Sequence, residues 1–174
     1  MSGNRQIDID IRPWSDGDLP LLERLLGDPA MMEHLGGPET LEKIRERHGR
    51  YCRIGTTGSD LQFTIVIEPE RTAAGWIGYR ESEWRGQTVL ETGWSVLPEF
   101  QGRGIATMAA RLMVERLRAE GKKTRFVHVC TSIDNGPSNA ICRKAGFALL
   151  GEADSEYPKG HFMRCNEWCL DLFR

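Results

Sequence analysis

Gly102 and Gly104 stand either side of Arg103, between an apolar run ending at Val96-Leu97 and a helical pattern that starts at Ile105. Glycine has no Cβ, so both positions accept backbone dihedrals closed to other residues and let a ligand approach the main chain. The first N–H groups of the helix behind them lack intrahelical partners and lie at the positive end of the helix dipole. Strand, glycine turn and helix start, in that order, make a receptacle for a phosphate or diphosphate, with the main-chain donors of residues 102 to 107 as its holding groups. Arg103 adds a guanidinium that can pair with a phosphate. Two other phosphate loops fit poorly. A Walker loop requires Gly-Lys-Ser/Thr, whereas Gly104 is followed by Ile105 and Ala106. A dinucleotide fingerprint places Gly or Ala three residues beyond Gly104, where Thr107 stands, and no acidic strand end accompanies it.

A second stretch runs from Asn135-Gly136-Pro137-Ser138 to Gly146-Phe147 and follows the next apolar strand. Taken locally, Asn135 starts a helix with Pro137 in its first turn. Two parallel strands flanking the loop helix would also bring Asn135 beside the end of the strand that feeds Gln101.

The elements that must position these residues are legible in outline. Ile7, Ile9 and Ile11 alternate with polar residues up to Pro13, the period of a half-buried strand. Leu19, Leu22, Leu25 and Leu26 follow at helical spacing, stopped by Gly27-Asp28-Pro29. Ala30 to Leu35 is expected to add a turn or two, and Glu39 to Arg53 a charged surface helix or cover that buries Leu41, Ile44 and Tyr51. Leu61 to Ile67, Ala73 to Trp84 and Thr88 to Val96 read as an antiparallel meander. Ile105, Met108, Ala109 and Leu112 line one helix face, with Gly121 as its cap. Phe126 to Cys130 is apolar enough for a strand covered on both sides. Pro137 to Ala145 is a short helix ended by Gly146, and the last strand alternates through Trp168, Leu170 and Leu172. The expected fold is α/β, one domain over residues 1–174, with a mixed, largely antiparallel sheet flanked by helices.

Composition narrows the partners. Lys plus Arg is 23 against 25 for Asp plus Glu, a net charge of −2, so no basic nucleic-acid footprint is expected. No run approaches the ~18 apolar residues of a membrane helix, and Met1 to Gln6 lacks the apolar core of a signal peptide. The five cysteines are odd in number without a CxxC pair, and the four histidines are scattered. That argues against disulfides and a metal site and for a reducing, cytoplasmic setting.

Both motifs, in this order and at strand–helix–strand spacing, resemble the GCN5-related N-acetyltransferase (GNAT) superfamily. Gln101, Gly104 and Ala106 match its Q/R-x-x-G-x-G/A signature for the coenzyme A diphosphate. Glu91 to Glu99 is similar to its fourth strand and exit, and Asn135-x-x-Ser138 to Gly146-Phe147 to its second cofactor motif. Leu19 to Leu26 with Met31 to Gly37 resembles the opening of the Rim-type ribosomal-protein alanine acetyltransferases. The resemblance implies a sheet splayed between the fourth and fifth strands and acetyl-coenzyme A as cosubstrate without a metal. It also implies direct attack by a primary amine, from a peptide N-terminus or a small molecule, in a ternary complex. Cofactor contacts would come from Trp94, Val96, Gln101, Gly102, Arg103, Gly104, Ile105, Ala106, Thr107, Asn135 and Ser138, with backbone N–H groups around Trp94 to Val96 facing the thioester and pantetheine.

On that reading Glu91 is the candidate general base, suited to the task by partial burial, with Glu83 and Glu152 as weaker substitutes. The chain departs from the family pattern at the acid. Many relatives carry Tyr where Cys142 stands, so Ser138 is preferred and Cys142 kept as the alternative. His34, His128 and His161 read as structural. Tyr157, in an Asp154 to Gly160 loop, and the 30–50 region are expected to line the acceptor site. A longer acyl donor, a coenzyme A-binding sensor or scaffold without turnover, and a homodimer through an edge strand near Trp168 stay open.

Overall fold

The computed structural model describes residues 7–54 and 58–174; the expectation about Met1 to Gln6 lies outside them. Seven strands form one sheet in the order β1-β2-β3-β4-β5-β7-β6. They are β1 (Ile9–Pro13), β2 (Asp60–Ile67), β3 (Thr72–Trp84), β4 (Gln87–Val96), β5 (Phe126–Ser132), β6 (Ala148–Glu156) and β7 (Phe162–Asp171). All neighbours pair antiparallel except β4 and β5, which are parallel. The long helix that a parallel crossover requires is α3 (Ile105–Ala119).

Side chains alternate across the sheet, and the two faces are covered by different helices. On one face Leu90, Val96, Val127, Val129, Trp168 and Leu170 pack with Ala109, Met113 and Leu117 of α3 and Cys142 of α4 (Gly136–Lys144). On the other, α1 (Leu19–Leu26) and α2 (Leu41–Ile54) close over Trp14, Leu97 and Trp76. In α2 only Ile44 is fully buried, and Leu41 is exposed. The link from β1 to α1 is tied by Asp18, which accepts Arg12 Nη1 and Nη2 at 2.8 and 2.6 Å and Ser15 N at 2.8 Å. Burial opposes ionisation of this carboxyl, but those bonds outweigh it and hold Asp18 below the usual carboxylate range.

Two boundaries differ from expectation. Asp154 to Glu156 belongs to β6 rather than to a loop. Trp168 itself lies on β7, an interior strand, and the exposed edge strand beside it is β6, whose Leu149 pairs with Trp168. The α3 cap is Glu120, with Gly121 following in the left-handed region at φ 62°. Among the described residues no helix is long and apolar enough to cross a membrane.

Candidate active site

The β4 exit is built to aim main-chain donors. Leu97 N donates to Ala74 O at 2.9 Å, and a single 3-10 turn over Pro98–Phe100 then reverses the chain. Gln101 Nε2 reaches back to Val96 O at 2.8 Å and pins the loop to the strand it leaves. Gly102 and Gly104 take φ of 71° and 78°, and an added Cβ would meet nothing within 4 Å at either. The glycines are therefore required by their left-handed dihedrals, not by crowding. The first helical bond runs from Met108 N to Gly104 O at 3.0 Å. The amides of residues 102 to 107 precede it, and none donates to a backbone acceptor among the described residues. Arg103 lies 5.9 Å over the Phe100 ring with its guanidinium exposed.

Beside this loop the sheet opens. β4 and β5 share only two rungs, Leu90 with Val127 and Glu91 with His128. Beyond them β4 runs to Val96 and β5 to Ser132 without pairing to each other. The Leu97 N–H points at β3, and the β3–β4 register is unbroken back along β4. Two-residue alternation therefore turns the N–H groups of Val96 and Trp94 into the opening. The Trp94 ring is partly buried against the α3 side of the core. The space between the strands thus offers strand donors along its length and helix-start donors at its mouth.

Across the opening, Asn135 Oδ1 accepts Ser138 N at 3.1 Å and caps α4. The Ser138 side chain is not that cap, and the residue is half-buried. Cys142, one turn further along, is 0% exposed, and burial pushes its thiol up to about 12. The residue that holds this wall together was not anticipated. Asn139 Oδ1 accepts Thr131 Oγ1 at 2.6 Å, Asn166 Nδ2 at 2.8 Å and Trp168 Nε1 at 3.0 Å. Its Nδ2 donates to Ser132 O at 2.9 Å and Asn135 O at 2.8 Å. Asn139→Ala would orphan several buried groups and is expected to cost about 3 kcal/mol, lowering Tm by roughly 6–12 °C. Thermal melts followed by circular dichroism check this, and a Tm within about 2 °C of wild type would contradict it.

The face away from α3 carries the titratable groups. Because Leu90, Thr92 and Val96 point to α3, Glu91 points away from it, paired to Arg80 Nη2 at 3.0 Å. His128 and Cys130 of β5 and Glu167 of β7 share that face, and Trp84 Nε1 and Arg85 Nη2 hold Glu167 at 2.8 and 2.7 Å. Trp76 spreads over Gly93, 3.5 Å from where a Cβ would sit, and Tyr51 of α2 stacks on Trp76 at 6.1 Å and 5°. The loop before α2 meets the turn after β6, where Pro158 lies against Gly36. That brings the 30–50 region and the Tyr157 turn to one rim. Glu83 falls on the α3 side near the β3–β4 turn, and Glu152 on the α4 side, bound to Arg164 at 3.1 Å. Neither joins Glu91.

The fold also gathers side chains of metal-ligating type that scattered spacing in the sequence hides: His128, Cys130 and Glu167, and Asp16, His48 and Cys52. In the first group Arg85 already neutralises Glu167, and burial pushes the Cys130 thiol up to about 12. The Arg85 charge beside Glu167 opposes a bound cation. In the second, His48 Nδ1 accepts Trp14 Nε1 at 3.1 Å and joins the α2 cover to β1.

Comparisons with known proteins agree with this geometry. Residues 8–148 match the family model described as an acetyltransferase (GNAT) domain. The chain is 28% identical over 107 residues to an uncharacterized N-acetyltransferase, YnaD, of Bacillus subtilis (strain 168), covering 62% of this chain and 58% of that protein. It therefore spans less than two thirds of that relative's length. Its fold is shared with the Salmonella typhimurium acetyl transferase that modifies the N-terminal serine of ribosomal protein L7/L12 (TM-score 0.77, 20% identity, 94% of each chain). It is shared equally with spermidine N-acetyltransferase from Vibrio cholerae, solved with coenzyme A and spermine (TM-score 0.78, 15% identity, 98% of each chain).

Proposed function

Because the chain belongs to the acetyltransferase (GNAT) domain family, we propose that it moves an acetyl group from acetyl-coenzyme A to a primary amine by direct attack, without an acyl-enzyme. The observation that carries this reading is the row of unpartnered amides at residues 102 to 107 beside an open β4–β5 pair. A diphosphate needs several fixed donors and an end-on helix dipole, and the loop supplies both. The amides of Trp94 and Val96 then pair with the extended pantetheine arm and polarise the thioester carbonyl. Donors fixed where charge develops are worth roughly 3 kcal/mol each when removed.

Glu91 takes the proton from the attacking nitrogen. Its carboxylate lies at the closed end of the opening, on the face where the Tyr51–Trp76 stack and the Tyr157 turn form a rim for the acceptor. The proton for the departing thiolate comes from Ser138, at the half-buried start of α4. Cys142 is a poorer donor because its thiol is sealed in the core. Ser138→Ala is expected to lower kcat about 10- to 100-fold, while Cys142→Ala leaves it within about twofold. The opposite ranking, measured under saturating substrates, would exchange the two roles. The acceptor is a peptide N-terminus or a small amine; relatives of both kinds share the fold.

The test is thiol release from acetyl-coenzyme A across a panel of amines and N-terminal peptides, with mass spectrometry of the product. An added acetyl group on any one amine supports the proposal. Coenzyme A binding with no thiol release across the panel would instead support a coenzyme A-binding module.

A further inference from the structure

The closed end of the opening holds a histidine that the chemistry above does not use. His128 is 5% exposed, and its Nε2 has no hydrogen-bond partner among the described residues. Buried polar atoms left unpaired are rare and call for a reason. Glu167 Oε1 stands 3.8 Å from that nitrogen, too far for a hydrogen bond and close enough for an ion pair once the ring is charged. On the other side His128 shares the last β4–β5 rung with Glu91, and the two side chains leave the sheet on the same face. The Trp84 ring lies over the imidazole at 4.9 Å. On the same face stand Arg80 and Arg85 from β3 and its turn, Cys130 from β5, and Cys165 and Cys169 from β7, with Asp60 of β2 opposite Arg80 and Tyr51 of α2 over Trp76.

We propose that His128 is a second proton acceptor, a positioning residue that empties Glu91 between proton transfers while Glu167 stabilises the imidazolium. The inference rests on Glu91 as the base. An amine at neutral pH arrives largely as ammonium, so two protons leave the nitrogen on the way to the amide. Glu91 takes the first and passes it to His128. The nitrogen then attacks, the C–N bond forms, and Glu91 takes the second proton. As the C–S bond breaks, Ser138 protonates the thiolate. One of the two stored protons restores the Ser138 hydroxyl, and the other leaves to water. Burial pulls His128 below its ordinary value, Glu167 and Glu91 pull it back, and Arg85 adds to the lowering. The ring therefore rests neutral at pH 7, ready to accept.

The experiment is the pH profile of kcat, at saturating acetyl-coenzyme A and acceptor, for wild type, His128→Gln and Glu167→Gln. Below the His128 pKa the wild-type rate should fall tenfold per pH unit, because a charged ring cannot accept. His128→Gln should lower kcat about 10-fold at pH 7.5 and abolish that limb, with coenzyme A affinity unchanged. Glu167→Gln should keep the limb and move it to lower pH, since removing the negative charge destabilises the imidazolium. A histidine needed only for packing would change the height of the profile and not its shape. A His128→Gln profile with the wild-type limb intact overturns the proposal, as does a Glu167→Gln limb that does not move. NMR titration of the His128 ring needs no turnover. Its midpoint should fall in Glu91→Gln, and an unmoved midpoint also overturns the proposal. Loss of rate in Glu91→Gln with an unaltered His128→Gln profile rejects the relay alone; full rate in Glu91→Gln rejects the base beneath it.

Discussion

Replacing Glu91 with glutamine is expected to lower kcat by about 100-fold or more, the usual share of a positioned general base, with the Kd for coenzyme A unchanged. The substitution keeps shape and one hydrogen-bonding oxygen and removes the negative charge and with it the capacity to take a proton. Its side effects are small. The pair with Arg80 is open to water, with side chains 60% and 37% exposed, so losing it costs at most about 1 kcal/mol of stability. The amides proposed for the diphosphate lie at the far end of β4, beyond Val96, and Glu91 touches none of them. Kinetics at saturating substrates separate the outcomes. A fall in kcat with intact coenzyme A binding supports the base. An unchanged kcat across the pH range removes it.

The second large effect belongs to Gly104. Its φ of 78° is a conformation L side chains rarely adopt, and it ends one residue before α3 begins. Gly104→Val puts a β-branched residue there, at about 1–3 kcal/mol of strain. The chain relieves that strain by rotating the peptide units that aim the amides. Because nothing lies within 4 Å of the new Cβ, the packed core is not disturbed and the variant should fold. Loss of two well-aligned bonds to a charged group, at about 1.5–3 kcal/mol each, predicts coenzyme A affinity reduced by roughly 100-fold or more. Calorimetry with coenzyme A reads this directly. An affinity within about threefold of wild type would mean that the loop conformation is not what holds the nucleotide end.

How far the sequence disclosed this site depended on how local each signal was. The glycine loop is contiguous: positive-φ glycines, a helix start and a strand exit occupy about ten residues, so composition and spacing exposed its geometry. Asn135 was legible for the same reason, since a cap is a matter of its next three residues. The opening between β4 and β5 was different. Pairing over two rungs only is a long-range property, and it entered through family resemblance rather than through periodicity. Asn139 was passed over because its value lies in partners on β5 and β7, up to 29 residues away. His128 sat in an apolar run that correctly indicated a buried strand. Only the assembled sheet sets it between Glu91 and Glu167, with Trp84 above it. Cys142 entered by its place in a motif, whereas its burial follows from the helix face it shares with Asn139. Strand β6 was missed in part because an edge strand with acidic side chains and a Gly151 bulge has little apolar alternation to read.

Amide NMR during a coenzyme A titration observes one by one the main-chain groups of Gly102 to Thr107 proposed to bind its diphosphate. These amides should shift downfield together and saturate with one Kd, while pantetheine, which lacks the diphosphate, leaves them in place. Saturable coenzyme A binding that leaves these resonances unmoved, or no binding at all, would contradict this role of the loop.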